Sequence, residues 1–138
     1  MFTGKVFTRD EFHEWRTKVS DLGEDSAGLI RTLVQVCTPK LIYSEHRFWV
    51  VDGEIVASST YKLGRRVTYR PVDDDRFHQF VRERVAEWQP ADAFAIDVCD
   101  TSAGLKVVEI NTLNSAGLYA ANINALVHAL EYYAEGLR

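Results

Sequence analysis

The feature that most constrains this chain is the dipeptide Asp52-Gly53, which stands between two runs of strand-forming residues, Leu41 to Val51 and Glu54 to Tyr61. A two-residue connection needs positive φ at its centre, and Asp-Gly supplies it, so the two runs are expected to form a hairpin. Two further strands are expected over Ala93 to Cys99 and Leu105 to Ile110, joined as an antiparallel pair by the five residues Asp100-Thr101-Ser102-Ala103-Gly104.

Apolar residues at helical spacing predict three helices. The first runs from Arg9 to about Val19, opened by the capping-box spacing of Thr8 and Glu11 and carrying Phe12, Trp15, Val19 and Leu22 on one face. The second runs from about Asp74 to Trp88, with Phe77, Phe80, Val81, Val85 and Trp88 on one face and Pro90 just past its end. The last, roughly Asn122 to Glu135, stripes Ile123, Leu126, Val127, Leu130 and Ala134. Residues 21–27 read as a loop, and Leu33 to Cys37 as a β-like run that Thr38-Pro39-Lys40 interrupts. Neither repeat nor linker is visible. The expectation is one domain over residues 1–138, of α+β class, in which a largely antiparallel sheet has helices packed on one face.

With 46% hydrophobic and 12% aromatic residues, the chain can bury one core. Its 16 basic against 20 acidic residues leave a charge of −4, so it has no surplus of cations for nucleic acid. Cys37 and Cys99 are too few for a disulfide framework and are expected to be buried, reduced thiols. The N-terminus lacks an apolar signal core, and no run approaches the roughly 20 apolar residues of a membrane span. A cytoplasmic protein is expected.

If the five-residue loop closes a regular hairpin, Cys99 lies opposite Leu105, Asp97 opposite Val107 and Ala95 opposite Glu109. Asp97, Glu109 and Asn111 then project from one face, while Phe94, Ile96, Val98, Val108 and Ile110 project from the other as core. Asp97 and Glu109 become diagonal neighbours about 7–8 Å apart. Two carboxylates and a carboxamide suit a hard cation such as magnesium. The competing reading is that they are solvated acids on an exposed face. The polar, small-residue segment Asn111-Thr112-Leu113-Asn114-Ser115-Ala116-Gly117 leaves the strand beside these acids and favours a ligand site.

The run from Lys106 to Tyr119, with its Glu109-Ile110-Asn111 element, resembles the end of the ATP-grasp domain, in the clade named for two arginines and one lysine that occurs in bacteria and bacteriophages. The likeness extends to Phe2-Thr3-Gly4-Lys5-Val6-Phe7-Thr8, to the segment from Glu45 to Gly53, to Ser59-Thr60-Tyr61-Lys62 and to Ala93-Phe94-Ala95-Ile96-Asp97-Val98. The resemblance implies the C-terminal lobe of an ATP-grasp domain, with Asp97, Glu109 and Asn111 holding magnesium on ATP. It also implies ligase chemistry, in which a substrate carboxylate attacks the γ-phosphate and an amine captures the acyl phosphate.

Arg47 and Lys62 match the clade's hairpin arginine and lysine, and both are assigned to phosphate or substrate carboxylate, tasks suited to a guanidinium fork and an ammonium. Arg65, Arg66 and Arg70 compete for the second arginine, with Arg66 preferred; a solvated turn is the bland account of all three. The adenine pocket would fall near Val36, Cys37 and Thr38, with Asn114 also at the nucleotide. His46 beside Arg47 is expected to be packed rather than catalytic, and Trp15, Trp49 and Trp88 to be core.

A complete enzyme of this kind has an N-terminal region with a lysine-bearing strand, and the chain begins after the point where that strand would end. It is therefore expected to be a fragment, a split subunit or a shortened relative. Its partners are then a nucleotide, an unidentified carboxylate and a separate N-terminal lobe or a second copy. The alternative is a non-catalytic module that binds nucleotide, metal or protein.

Overall fold

The computed structural model of the chain describes residues 5–21, 33 and 36–136. It divides into two compact units, Met1–Lys40 and Leu41–Arg138. In the first, helix α1 (Arg9–Ser20) begins with the expected capping box: the Thr8 hydroxyl accepts from the Glu11 amide while the Glu11 carboxylate accepts from the Thr8 amide at 2.7 Å. Phe12 and Trp15 pack with Phe7 as an aromatic cluster, with ring centroids 5.7–6.1 Å apart. Leu22 and residues 34 and 35 lie outside the described residues, and Val36 and Cys37 belong to neither helix nor strand.

The second unit is a five-stranded antiparallel sheet in the order β3-β2-β1-β4-β5, built from β1 (Ile42–Val51), β2 (Glu54–Leu63), β3 (Arg66–Arg70), β4 (Ala93–Thr101) and β5 (Gly104–Asn111). Helix α2 (Asp75–Glu87) follows β3, and helix α3 (Ile123–Gly136) follows β5 after a short 3-10 turn at Leu113–Ser115. The α+β class and the antiparallel sheet are as expected. Among the described residues, no helix is long and apolar enough to cross a membrane.

Asp52 and Gly53 both take positive φ, 50° and 79°, so the β1–β2 connection is the tight turn that their chemistry specifies. A Cβ at Gly53 would meet only ordinary contact from Gln89. Gly53→Ala is therefore expected to cost about 1–2 kcal/mol through backbone strain alone, measurable as a shift in the urea midpoint without a change in slope.

Helices cover both faces of the sheet, not one. Phe48, Val50, Phe94, Ile96 and Val98 meet Phe77, Val81 and Val85 of α2. Their alternates Trp49, Val51, Ala57 and Ala95 meet Leu126 of α3, with Ala129, Leu130 and Tyr133 packed alongside. The stretches Phe48, Trp49, Val50 and Val51 of β1 and Phe94, Ala95 and Ile96 of β4 are buried on both sides, which is why they read as continuous hydrophobic runs. The stripe of α3 that packs on the sheet is thus buried Leu126 with half-buried Ala129, Leu130 and Tyr133; Ile123, Val127 and Ala134, expected in it, are exposed. Trp49 is fully buried as expected, but Trp88 is 62% exposed because it caps α2 in extended conformation and no longer follows the helical face. Cys99 is buried in β4, whereas Cys37 is exposed.

The β4–β5 pairing departs from the regular hairpin in two ways. The turn is tighter, with Thr101 opposite Gly104, and a bulge intervenes where Asp97 pairs with Glu109 but Val98 with Val107. Each change shifts the register by one residue. One shift would send every β5 side chain to the wrong face; two restore the face and move Glu109 from diagonal to directly opposite Asp97. Val108, expected in the core, takes the bulge and is exposed.

Candidate functional site

On the α3 side of the sheet, Glu45, Arg47 and Trp49 alternate along β1, and Arg47 pairs with Asp97 on β4 and Ser59 on β2. The guanidinium makes a two-pronged contact with the Asp97 carboxylate, Nε to Oδ1 at 2.7 Å and Nη2 to Oδ2 at 2.8 Å. The same Nη2 lies 3.7 Å from Glu109 Oε1. Arg47 and Asp97 are buried, while the Glu109 side chain is 54% exposed, so the cluster opens toward solvent at β5. Glu109 also accepts from Asn111 Nδ2 at 2.8 Å. Burial pushes the Asp97 carboxyl above its ordinary value while Arg47 pulls it down, and the hydrogen bond to Asp97 raises the guanidinium's own pKa.

The second cation lies two residue pairs along the same hairpin, beyond His46 and Thr60. Lys62 Nζ forms an ion pair with Glu45 Oε1, directly across β1–β2. Between the two ion pairs stands Tyr61, whose hydroxyl lies 3.1 Å from Glu45 Oε2 and 3.2 Å from Asp97 Oδ2. Burial and these two carboxylates push the phenol pKa far upward, so it stays a donor. Tyr119 stacks between Tyr61 and Tyr69, at 5.1 Å from each, and lies 5.2 Å from the Arg47 guanidinium carbon. The Ala120 amide donates to the buried Ser59 hydroxyl at 3.1 Å, which ties the loop after β5 to β2. Tyr119 holds positive φ of 51°, and a Cβ on Gly117 would come within 3.3 Å of its ring.

The structure thus brings Arg47, Asp97, Glu109 and Asn111 together and links Lys62 to them through Glu45 and Tyr61. Arg66 is not among them. It opens β3 opposite Leu63, whereas Val67 lies opposite Lys62, so strand alternation carries Arg66 to the other face. Arg70 pairs with Thr60 on that same far side, and Arg65 lies in the turn before β3. Asn114, in the 3-10 turn, accepts from Thr112 Oγ1 at 2.6 Å. Val36, Cys37 and Thr38 are exposed residues of the Met1–Lys40 unit. His46 faces α2, away from Arg47, with its ring nitrogens 2.7 Å from Ser44 Oγ and 2.9 Å from Thr60 Oγ1. Sequence reasoning gave no role to Glu45, Tyr61, Ser59 or Tyr119. Glu45 was accessible to it, being opposite Lys62 and two residues from Arg47; Tyr61 was hidden by a bulge.

Among the described residues, no group of three or more His, Cys, Asp and Glu side chains is arranged to hold a metal ion. Of the trio expected to bind magnesium, Glu109 and Asn111 fit as hard oxygen donors at the open end of the cluster. Asp97 accepts from Arg47 on both oxygens and from Tyr61 on Oδ2, so Oδ1 is the oxygen with a lone pair left to join them.

The model of one ATP-grasp domain family, family 3 of the clade named for two arginines and one lysine, matches residues 1–130. No curated protein matches the chain. Among solved structures, one described as "Structure of ATP-grasp ligase PsnB complexed with minimal precursor" is similar over 72% of this chain and 36% of that chain, at 14% sequence identity and a TM-score of 0.41.

Proposed function

The chain belongs to family 3 of that two-arginine, one-lysine clade of ATP-grasp domains, and from that premise we propose that it is the ATP- and magnesium-binding lobe of a carboxylate–amine ligase. The observation that carries the reading is the Arg47 fork held between Asp97 and Glu109 at the open end of a buried face, with Lys62 on the adjacent strand. Two cations, each tethered by a carboxylate, can be aimed before a ligand arrives, so little reorganisation is needed when charge develops on a transferring phosphoryl group.

Arg47 would grip phosphate or substrate carboxylate through its planar fork, and Lys62 would add a point charge beside it. Glu109 and Asn111, with Asp97, would hold magnesium, which when bound would neutralise charge on the nucleotide phosphates. Stacked Tyr61 and Tyr119 limit water around the guanidinium and strengthen its interactions. The ligase reading further proposes an N-terminal lobe supplied by another segment or chain, and an acyl phosphate as the activated form of the acid.

Calorimetric titration of ATP, with magnesium and again with chelator, tests the site. Magnesium-dependent binding is expected, at least tenfold weaker in Glu109→Gln and Asp97→Asn; a folded chain that ignores ATP in both conditions would count against the site. A second reading, a non-catalytic lobe that binds nucleotide, metal or protein through the same face, is favoured by the Arg47 guanidinium being buried and already paired with Asp97. ATP consumption dependent on a carboxylate and an added N-terminal lobe would separate the ligase from that module.

A further inference from the structure

In a regular strand, adjacent residues point to opposite faces, yet Tyr61 and Lys62 both serve the Arg47 side of the sheet. The cause is a bulge in β2: His46 pairs with Thr60 and Glu45 with Lys62, which leaves Tyr61 as an extra residue without a partner on β1. Bulges re-aim side chains at the cost of a ladder position. This one turns the Tyr61 hydroxyl into the space between the Glu45 and Asp97 carboxylates. Two like charges that share a buried face repel, and a single phenol proton between them offsets that repulsion without adding a third charge.

We infer that Tyr61 is a positioning residue coupling the two cation-bearing halves of the site, its hydroxyl holding Glu45 and Asp97 at one spacing and, through them, Lys62 and Arg47. The consequence for ligand binding rests on the nucleotide reading above; the positioning itself does not. Glu45 holds Lys62, Asp97 holds Arg47 by two hydrogen bonds, and Tyr61 is the group that touches both carboxylates. Its ring is fixed on the other side by stacking on Tyr119, so the hydroxyl has little freedom to follow one carboxylate away from the other. Loss of the hydroxyl alone frees Glu45 to swing outward with Lys62 and leaves the Asp97–Arg47 pair without its outer partner.

Tyr61→Phe keeps the ring and removes only this function. In the full chain, hydrogen exchange of the Arg47 Nε–H followed by NMR is expected to speed up by about tenfold or more, while the thermal midpoint moves by no more than a few degrees. Magnesium-ATP affinity is expected to fall about 5–10-fold. Lys62→Gln combined with Tyr61→Phe should lose less than the product of the two single effects, because both act through Glu45. Glu45→Gln, which keeps the shape and removes the charge, should speed the same exchange. Unchanged Arg47 exchange in both Tyr61→Phe and Glu45→Gln would overturn the proposal, as would fully multiplicative losses of affinity. If the wild-type chain does not bind magnesium-ATP, the nucleotide reading fails by itself, and the exchange measurement alone decides the positioning role.

Discussion

Replacing Asp97 with alanine is expected to destabilise the Leu41–Arg138 unit by about 3–5 kcal/mol, because it strands the buried Arg47 guanidinium without its carboxylate. Asp97 is 1% and Arg47 6% exposed. Both prongs of the guanidinium contact are lost at once, and Glu109, 3.7 Å away and half in solvent, is placed to recover only part of the charge. The loss measures the cost of an uncompensated charge, not the worth of the pair. Arg47→Met with Asp97→Leu is accordingly expected to regain most of it, since apolar groups of similar size replace an ion pair without stranding either member. Urea unfolding followed by circular dichroism provides the numbers. A loss under about 1 kcal/mol in Asp97→Ala would mean that Arg47 reaches water when its partner is removed.

Acid should act on the opposite face. His46 is 4% exposed, sits 3.9 Å from the Phe77 ring and lies between two hydroxyls, with its pKa pushed down to about 4. Burial is the main cause; Arg70 and Arg76 lower it further, and Asp100 and Asp74 oppose them. An unfolded histidine takes up its proton near pH 6.5, so on acidification the unfolded state binds the proton first. The stability held by neutral His46 is therefore complete above about pH 6.5 and lost as the pH falls toward 4, a change of about 3 kcal/mol. His46→Gln should flatten stability between about pH 6.5 and 4.5, which denaturation at a series of pH values would reveal. An equal slope in the variant would assign the acid sensitivity to other groups.

Much of the fold was legible because its signals are local. Thr8 and Glu11 cap α1 through their own side chains, Asp52-Gly53 dictates its turn by backbone preference, and α2 carries a clean helical stripe. The two-sided sheet was harder to read. Continuous apolar runs in β1 and β4 are compatible with burial on either or both faces, and the second cover, α3, is held by Leu126 and small residues that form a weaker stripe.

By itself the sequence determined that the chain is a mostly antiparallel α+β protein, and that Glu109 and Asn111 lie on one side of their strand, because strand periodicity alternates the faces; that Asp97 lies on the same side followed only because two register shifts cancelled. What only the tertiary structure decided is how those side chains engage. The tight turn and the bulge in β5 each displaced the register by one, which preserved the face yet set Glu109 directly across from Asp97. The bulge in β2 brought Tyr61 to the same side as Lys62, and the pairing of β1 with β4 set Arg47 against Asp97. Bulges and register depend on the sum of many cross-strand contacts and on what the covering helices leave room for, and no single residue along the chain encodes that sum.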